Sequence, residues 1–350
     1  MNSIKRPASP PVGSKPGLGL LPCLPIVMTA CSGPVVADEY AVFKSTDRAR
    51  SWVRADSGLP SNARVNAIGQ VEGIFLAATD AGVFQSTDLA ARWRPTPLIK
   101  GSSVRVLDFA TLGSQVFAAT EGGTGVFVSA NQGNTWSPTA CLPNGKVRCL
   151  TVSRDALYAG LDVGGVRRSL DAGGSWQSLT NGLPARAQVF ALASVEGHVF
   201  AGLYSQGLYT LAPGETTWTR ASTVTPLVLA TGTDTLIAGH NPGGLHWSPD
   251  RGITWDRNSA SPSARLPVKP AYPSVEPAPD APVWALASKH GLSLAGAAEG
   301  IYLSQDGGRN WSRSETGLPA QAPGIAFLVN DQIVLAAIPL SPTGSRGNPK

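Results

Sequence analysis

Seven tryptophans, Trp52, Trp93, Trp136, Trp176, Trp218, Trp255 and Trp311, divide most of this 350-residue chain into units of 41, 43, 40, 42, 37 and 56 residues. A polar turn precedes most of them. Its clearest form is Ser169-Leu170-Asp171-Ala172-Gly173-Gly174-Ser175-Trp176, an S-x-D-x-G-x-x-W frame that returns at 248–255 and 304–311. Looser copies end at Trp52, Trp93 and Trp136, and only a trace precedes Trp218. A period near forty residues suits one four-stranded unit per repeat, stacked on its neighbours in a ring. The expectation is an all-β, seven-bladed β-propeller of four-stranded antiparallel blades, with the turns on one face.

The chemistry of the frame explains its recurrence. A hairpin turn strips backbone N–H groups of their ladder partners, and short Ser, Asp and Asn side chains can satisfy them locally. The Trp then covers the hairpin while its indole N–H still reaches an acceptor. Asp47, Asp88, Asn131, Asp171, Asp250 and Asp306 are therefore expected to hold turns together rather than to act as catalytic acids.

Composition agrees with a turn-rich β protein: 39 Gly, 29 Pro and only 15% charged residues. Each unit opens with an apolar strand, such as 65–68, 147–152 or 283–287. A second strand follows with a small pair inside it, Ala77-Ala78, Ala159-Gly160 or Ala295-Gly296 among them. Small residues at one register require a close neighbour, which the inner strands of a ring supply. The last two apolar strands, 325–329 and 332–337, have no turn after them, and the first turn has little before it. The C-terminal pair is expected to complete the N-terminal blade and close the ring; Val35-Val36-Ala37 is the alternative source of its second strand.

At these turns the chain resembles the Asp-box (BNR) repeat propellers, the family of sialidases, the sortilin ectodomain and reducing-end-specific xyloglucanases. That resemblance implies the propeller fold over residues 35–340, with each box between the third and fourth strands of a blade. Departures are Ala49 and Ala90 in place of Gly, Asn131 in place of Asp, and Leu211-Ala212-Pro213-Gly214-Glu215 ahead of Trp218, where the blade is expected to have its most irregular hairpin. The turns at 46–52 and 87–93 also resemble those of the photosystem II stability and assembly factor.

Residues 1–34 differ in kind. Lys5, Arg6 and Lys15 precede an apolar run over 18–30 and then Cys31, Ser32 and Gly33. A basic start, a short apolar core and small residues describe an export leader. Met28-Thr29-Ala30-Cys31 resembles a bacterial lipobox, which implies lipidation of Cys31, a membrane anchor and a periplasmic or cell-surface location. Removing the leader leaves 25 basic against 23 acidic residues, so the formal charge of +5 is no sign of nucleic-acid binding; there is no basic run. Cys141 and Cys149, eight apart across a Pro-Asn-Gly turn, are expected to form a loop disulfide in an oxidising compartment; the other reading is two free thiols, one buried in a strand. Residues 259–282 hold seven prolines and form an inserted surface loop, and 341–350 a flexible tail.

Candidate chemistry falls on the face opposite the turns. Its acidic residues are Asp38, Glu39, Asp80, Glu121, Asp162 and Glu299; Arg64, Arg105, Arg148 and Arg186 stand near first-strand starts. Four successive junctions carrying Arg would form an arc for carboxylate or sulfate recognition, against the plainer reading of rim charges that pair across turns. A sialidase would need an Arg-Ile-Pro, which does not occur, and a Tyr–Glu pair, for which none of the six tyrosines has an obvious Glu partner. A xyloglucanase-like hydrolase would need two opposed carboxylates, for which Asp80 and Asp162 are the nominal pair. His198, His240, His246 and His290 lack metal-ligand spacing. The sequence thus predicts a monomeric, non-catalytic binding or scaffolding module for a protein partner or carbohydrate, with no metal or cofactor. Glycoside hydrolysis is the alternative and photosystem assembly the minor one.

Overall fold

The structure, a computed structural model, describes residues 39–99, 103–122, 125–142, 146–232, 235–240, 244–257, 282–297, 299–320 and 322–340. The leader with Cys31, the Pro-rich insertion apart from Pro282, and the tail lie outside the described residues. Twenty-eight strands form seven four-stranded antiparallel sheets. Six are continuous meanders, blades I (65–95), II (106–138), III (147–179), IV (189–222), V (226–257) and VI (283–314). No helix among the described residues is long and apolar enough to cross a membrane.

Blade VII settles how the ring closes. Its strand order runs Ala326–Val329, Val334–Leu340, Glu39–Ser45, Val53–Arg54. The C-terminal pair supplies the two inner strands and the N-terminus the two outer ones. Seven residue pairs join them in register, from Glu39↔Leu340 to Ser45↔Val334. The second strand therefore comes from the C-terminus and not from 35–37.

The core is distributed. Seven apolar clusters form, each built from two neighbouring blades, so every blade face is buried against the next. The small pairs sit on the second strands, and Ala77, Ala118, Ala159, Ala201 and Ala336 are fully buried there. At Gly160 a Cβ would fall 2.6 Å from Cys149 Sγ and 2.7 Å from Val189 Cγ1 of the next blade, so a larger residue has no room.

Six turns between third and fourth strands share one hydrogen-bond pattern. In blade III, Ser169 Oγ donates to Asp171 Oδ1 (2.8 Å) and accepts from Gly173 N (2.8 Å), while Asp171 Oδ1 accepts from Ser175 N (2.8 Å). Blade VI repeats it with Ser304, Asp306 and Asn310. Asn131 fills the Asp position because its Oδ1 accepts from Thr135 N at 2.9 Å in the same way. The Ser175 hydroxyl and backbone N–H, with Ser169, pull the Asp171 carboxyl down to about 2. These acids are anchored as turn supports. Around Trp218, where the motif is lost, the third-to-fourth-strand pairing shifts register between Leu208 and Tyr209, the sole such shift among the seven pairings of this type described.

One expected bond is corrected. Cys149 is free and buried, so it is not joined to Cys141. Cys141 lies exposed in the junction before blade III, whereas Cys149, on the inner strand, packs with Tyr158 and Val189 in the cluster between blades III and IV. Burial pushes the Cys149 thiol well above its ordinary pKa. The Pro-Asn-Gly spacing suggested a loop closure; the strand that follows turns the second sulfur into the core.

Candidate functional site at the channel mouth

The seven inner strands neighbour one another around a central channel. A girdle of large apolar side chains, among them Ile68, Leu192, Leu229, Leu286 and Phe327, divides it into two vestibules. On the face of the Ser-x-Asp turns the vestibule measures about 490 Å³ and is lined by hydroxyls, with Lys289 as its charged residue. The opposite vestibule, about 270 Å³, collects aromatic, aliphatic and charged groups.

A backbone device builds this second mouth. In all six continuous blades the pairing of first and second strands shifts register at the same place, skipping Asn66, Leu107, Arg148, Phe190, Leu227 or Trp284. Such bulges re-aim a side chain that the ladder would otherwise fix. The six skipped residues, with Ile325 from blade VII, all line the smaller vestibule. The mouth is therefore a ring with one residue per blade.

Two charged clusters and an aromatic stack surround it. Arg148 makes an ion pair with Asp162 and lies 4.1 Å above the Phe190 ring, which stacks on Tyr204 at 5.0 Å between centroids. Farther out, Arg105 bonds Asp80 (2.8 Å) and Glu121 (2.7 Å), and Lys146 bonds Glu121, giving a chain of alternating charges across blades I to III. Burial opposes ionisation of Glu121, but Lys146 and Arg105 outweigh it and hold its carboxyl below the usual range. Asn66 donates to Asp80 Oδ1 and to Val106 O, each at 2.8 Å, tying blade I to blade II.

The expected arginine arc is not a single row. Backbone bonds place Arg64, Arg105 and Lys146 at equivalent positions, each carbonyl accepting from the second-to-third-strand turn at Asp80, Glu121 or Asp162. Arg148 lies two residues farther on, at the bulge, and Arg186 two residues before the equivalent Gln188, exposed with φ +58°. Unequal junction lengths make the spacing misleading. Arg148 alone of the four lines the channel mouth. Asp80 and Asp162 belong to different blades and each is paired with an arginine.

Sequence reasoning missed Phe190, Tyr204, Trp284 and Asp108. Trp284 was legible in principle, as one of two tryptophans outside the repeat positions. Asp108 was hidden in an apolar strand. Half-buried in the vestibule, its Oδ1 accepts from Phe109 N and its Oδ2 from Leu150 N of blade III, both at 2.8 Å. Burial raises its carboxyl to about 7, against the two N–H groups that pull it down. The folded state thus favours the protonated form, and that stability is lost as pH rises from the ordinary carboxylate range through about 7. Melting temperature is expected to fall by about 3 °C, about 2 kcal/mol, between pH 5.5 and 8.5. In Asp108→Ser the fall should vanish, as followed by circular dichroism; an unchanged slope would assign it to another group.

No protein-family model matches the chain, and no curated protein matches it in sequence. Solved structures do match in fold. The structure described as YCF48 bound to D1 peptide is 18% identical, with TM-score 0.59 over 83% of this chain and 96% of that one. YCF48 from Cyanidioschyzon merolae is 14% identical, with TM-score 0.60 over 79% of this chain and 96% of that one. The GH74 xyloglucanase from Xanthomonas campestris is 18% identical, with TM-score 0.55 over 75% of this chain and 46% of that one. The chain shares their β-propeller fold. Identities this low carry the architecture alone.

Proposed function

We propose that the chain is a non-catalytic binding or scaffolding propeller, monomeric, exported and tethered through a lipid at Cys31, that captures a protein partner or glycan on the face opposite its Ser-x-Asp turns. The observation that carries this reading is the ring of re-aimed residues at the smaller vestibule, flanked by Arg148 stacked on Phe190. Binding surfaces concentrate aromatic and Arg side chains of this kind. A fold neighbour solved with a bound peptide supports a protein partner, and the xyloglucanase supports a glycan. The six like turns support kinship with the Asp-box propellers.

A hydrolase is favoured by one observation, the carboxyl of Asp108 held near neutrality in the channel. Both its oxygens are already engaged by backbone N–H groups of two blades, which is a fastening role. The test uses full-length protein, with glycan arrays, displayed peptide libraries and β-glucan or sialoside turnover assayed side by side. Capture that weakens on Arg148→Ala, at unchanged melting temperature, is the expected result. Turnover abolished by Asp108→Asn, Asp80→Asn or Asp162→Asn would replace the binding reading. For the anchor, Cys31→Ala should release the protein from membranes or leave a longer precursor; a native protein whose mass shows unmodified Met1 would end that part of the proposal.

A further inference from the structure

On the face of the Ser-x-Asp turns, six of the seven blade contacts are closed in one way. The small residue of each turn sits on a large side chain from the second strand of the preceding blade. A Cβ at Gly133, Gly252 or Gly308 would fall within 2.7 Å of Leu76, Phe200 or Ile237, and one at Gly173 would lie 3.8 Å from Phe117. Ala90 shares a cluster with Leu335, and Ala49 with Leu294. The contact between blades III and IV is the exception. Blade IV has Leu211-Ala212-Pro213-Gly214-Glu215 where the turn should be. Blade III has Tyr158 at the second-strand position that is Leu, Ile or Phe in the other six. The two departures meet at a pocket of about 260 Å³.

Its floor holds polar groups without partners. Ser153 is only 5% exposed and its Oγ has no hydrogen bond, at a position that is Val71 in blade I and Val195 in blade IV. Arg168, half-buried and the Cα partner of Tyr158, has a buried Nε with no acceptor; its Nη2 donates to Gln177 Oε1 at 3.2 Å. Buried polar groups left unsatisfied are costly and scarce in folded chains. A guanidinium beside two hydroxyls suits a carboxylate.

The charges around the pocket are even. Arg154 and Arg168 stand with Asp155 and Glu215, and none of the four makes an ion pair among the described residues. Close by, Glu196 is held by Arg251 at 2.7 Å, and Asp171 is fastened in its own turn. Depth separates the signs. Arg168 is half-buried, whereas Asp155, Glu215 and Arg154 are exposed. A ligand of one sign would be repelled by one pair, and a ligand carrying both would not.

We infer that this pocket binds a small zwitterion of the α-amino-acid type, at a site separate from the channel mouth and independent of the binding reading above. The carboxylate accepts from Arg168, Ser153 and Tyr158. The ammonium donates to Asp155 and Glu215 at the entrance, and the rest of the ligand lies along Leu170 and Pro213. The volume is below the ~300 Å³ at which drug-sized ligand pockets begin, so it fits a single amino acid better than a peptide.

The probes are the twenty common amino acids, each screened at millimolar concentration for a rise in melting temperature of the full-length protein. Those that stabilise it are then measured by calorimetry, beside their methyl esters, their N-acetyl forms, succinate and cadaverine. One or a few amino acids are expected to bind, with the ester and the N-acetyl form each at least about tenfold weaker. The floor variants borrow residues that other blades carry at the same positions: Tyr158→Phe as in Phe117, Ser153→Val as in Val71, Arg168→Gln as in Gln85. Tyr158→Phe should weaken binding roughly tenfold and Arg168→Gln roughly thirtyfold, with the melting temperature of the free protein unchanged. Asp155→Asn with Glu215→Gln should weaken it roughly tenfold. Should a variant melt early, the ester and N-acetyl ligands on the unaltered protein decide. Binding that succinate or cadaverine matches, or that survives both Arg168→Gln and Tyr158→Phe, overturns the inference. So does a screen in which no amino acid binds.

Discussion

A chain ended after Pro323 is expected to yield no folded monomer. That cut removes both inner strands of blade VII and leaves Glu39–Ser45 with one unpaired edge. It also opens two of the seven apolar clusters, since Ala336 and Ile338 face blade VI while Leu335 and Ala337 face blade I. Burying Phe327, Ile333, Val334, Leu335 and Ile338 contributes roughly 1.5–3 kcal/mol apiece. Together that is comparable with the roughly 5–15 kcal/mol of net stability a domain possesses. The exposed edge would also invite pairing with a second chain. A permutant gives the complementary result. Glu39 and Leu340 are Cα partners, so a two-residue Asn-Gly turn can join them, and new ends can open at 222–226 between blades IV and V. Its melting temperature should match the parent within a few degrees, at monomeric size by gel filtration. A truncated chain that still unfolds cooperatively would show that the closing strands are dispensable.

How much of this was readable beforehand depended on what each residue had to satisfy. The tryptophans and their turns answer to local chemistry, hydrogen bonds within five residues and one plate over a hairpin, so each copy is visible by itself. Ring closure followed from counting strands, but the source of the second strand needed the register Glu39↔Leu340 to decide it. The site was less legible. Which arginine faces the channel depends on a bulge one residue long and on junctions of unequal length, and neither leaves a mark in hydrophobic pattern. Arg105 and Arg148 look alike in sequence, yet Arg105 is fastened between Asp80 and Glu121 while Arg148 rides on Phe190 at the mouth. The cysteines failed for the same reason, since spacing along the chain says nothing of which side of a strand a sulfur takes.

A Cβ at Gly182 is expected to cost roughly 3–5 kcal/mol, because it meets a backbone rather than a side chain that can yield. Gly182 has φ +84°, and an added Cβ would lie 2.1 Å from Trp218 O. Trp218 cannot retreat: its backbone N donates to Asn181 O (2.8 Å) and its indole N–H to Leu179 O (2.9 Å). The same clasp recurs with Gly58 on Trp93 and Gly317 on Trp52, each within a Gly-Leu-Pro junction that leads into the next blade. At Gly58 the acceptor of the indole is Ala55 O, again three residues before the glycine. Three of the seven blade contacts are thus held by one glycine apiece. Gly214 separates strain from collision, since it has the same φ of +84° with nothing within 4 Å of an added Cβ. Gly214→Ala should therefore cost only the left-handed backbone penalty of about 1–2 kcal/mol. Denaturant unfolding of Gly182→Ala and Gly214→Ala measures the difference, with the Gly182 midpoint well below the other. Equal losses at the two sites would mean that the Trp218 backbone moves aside, and that the junction is looser than its hydrogen bonds require.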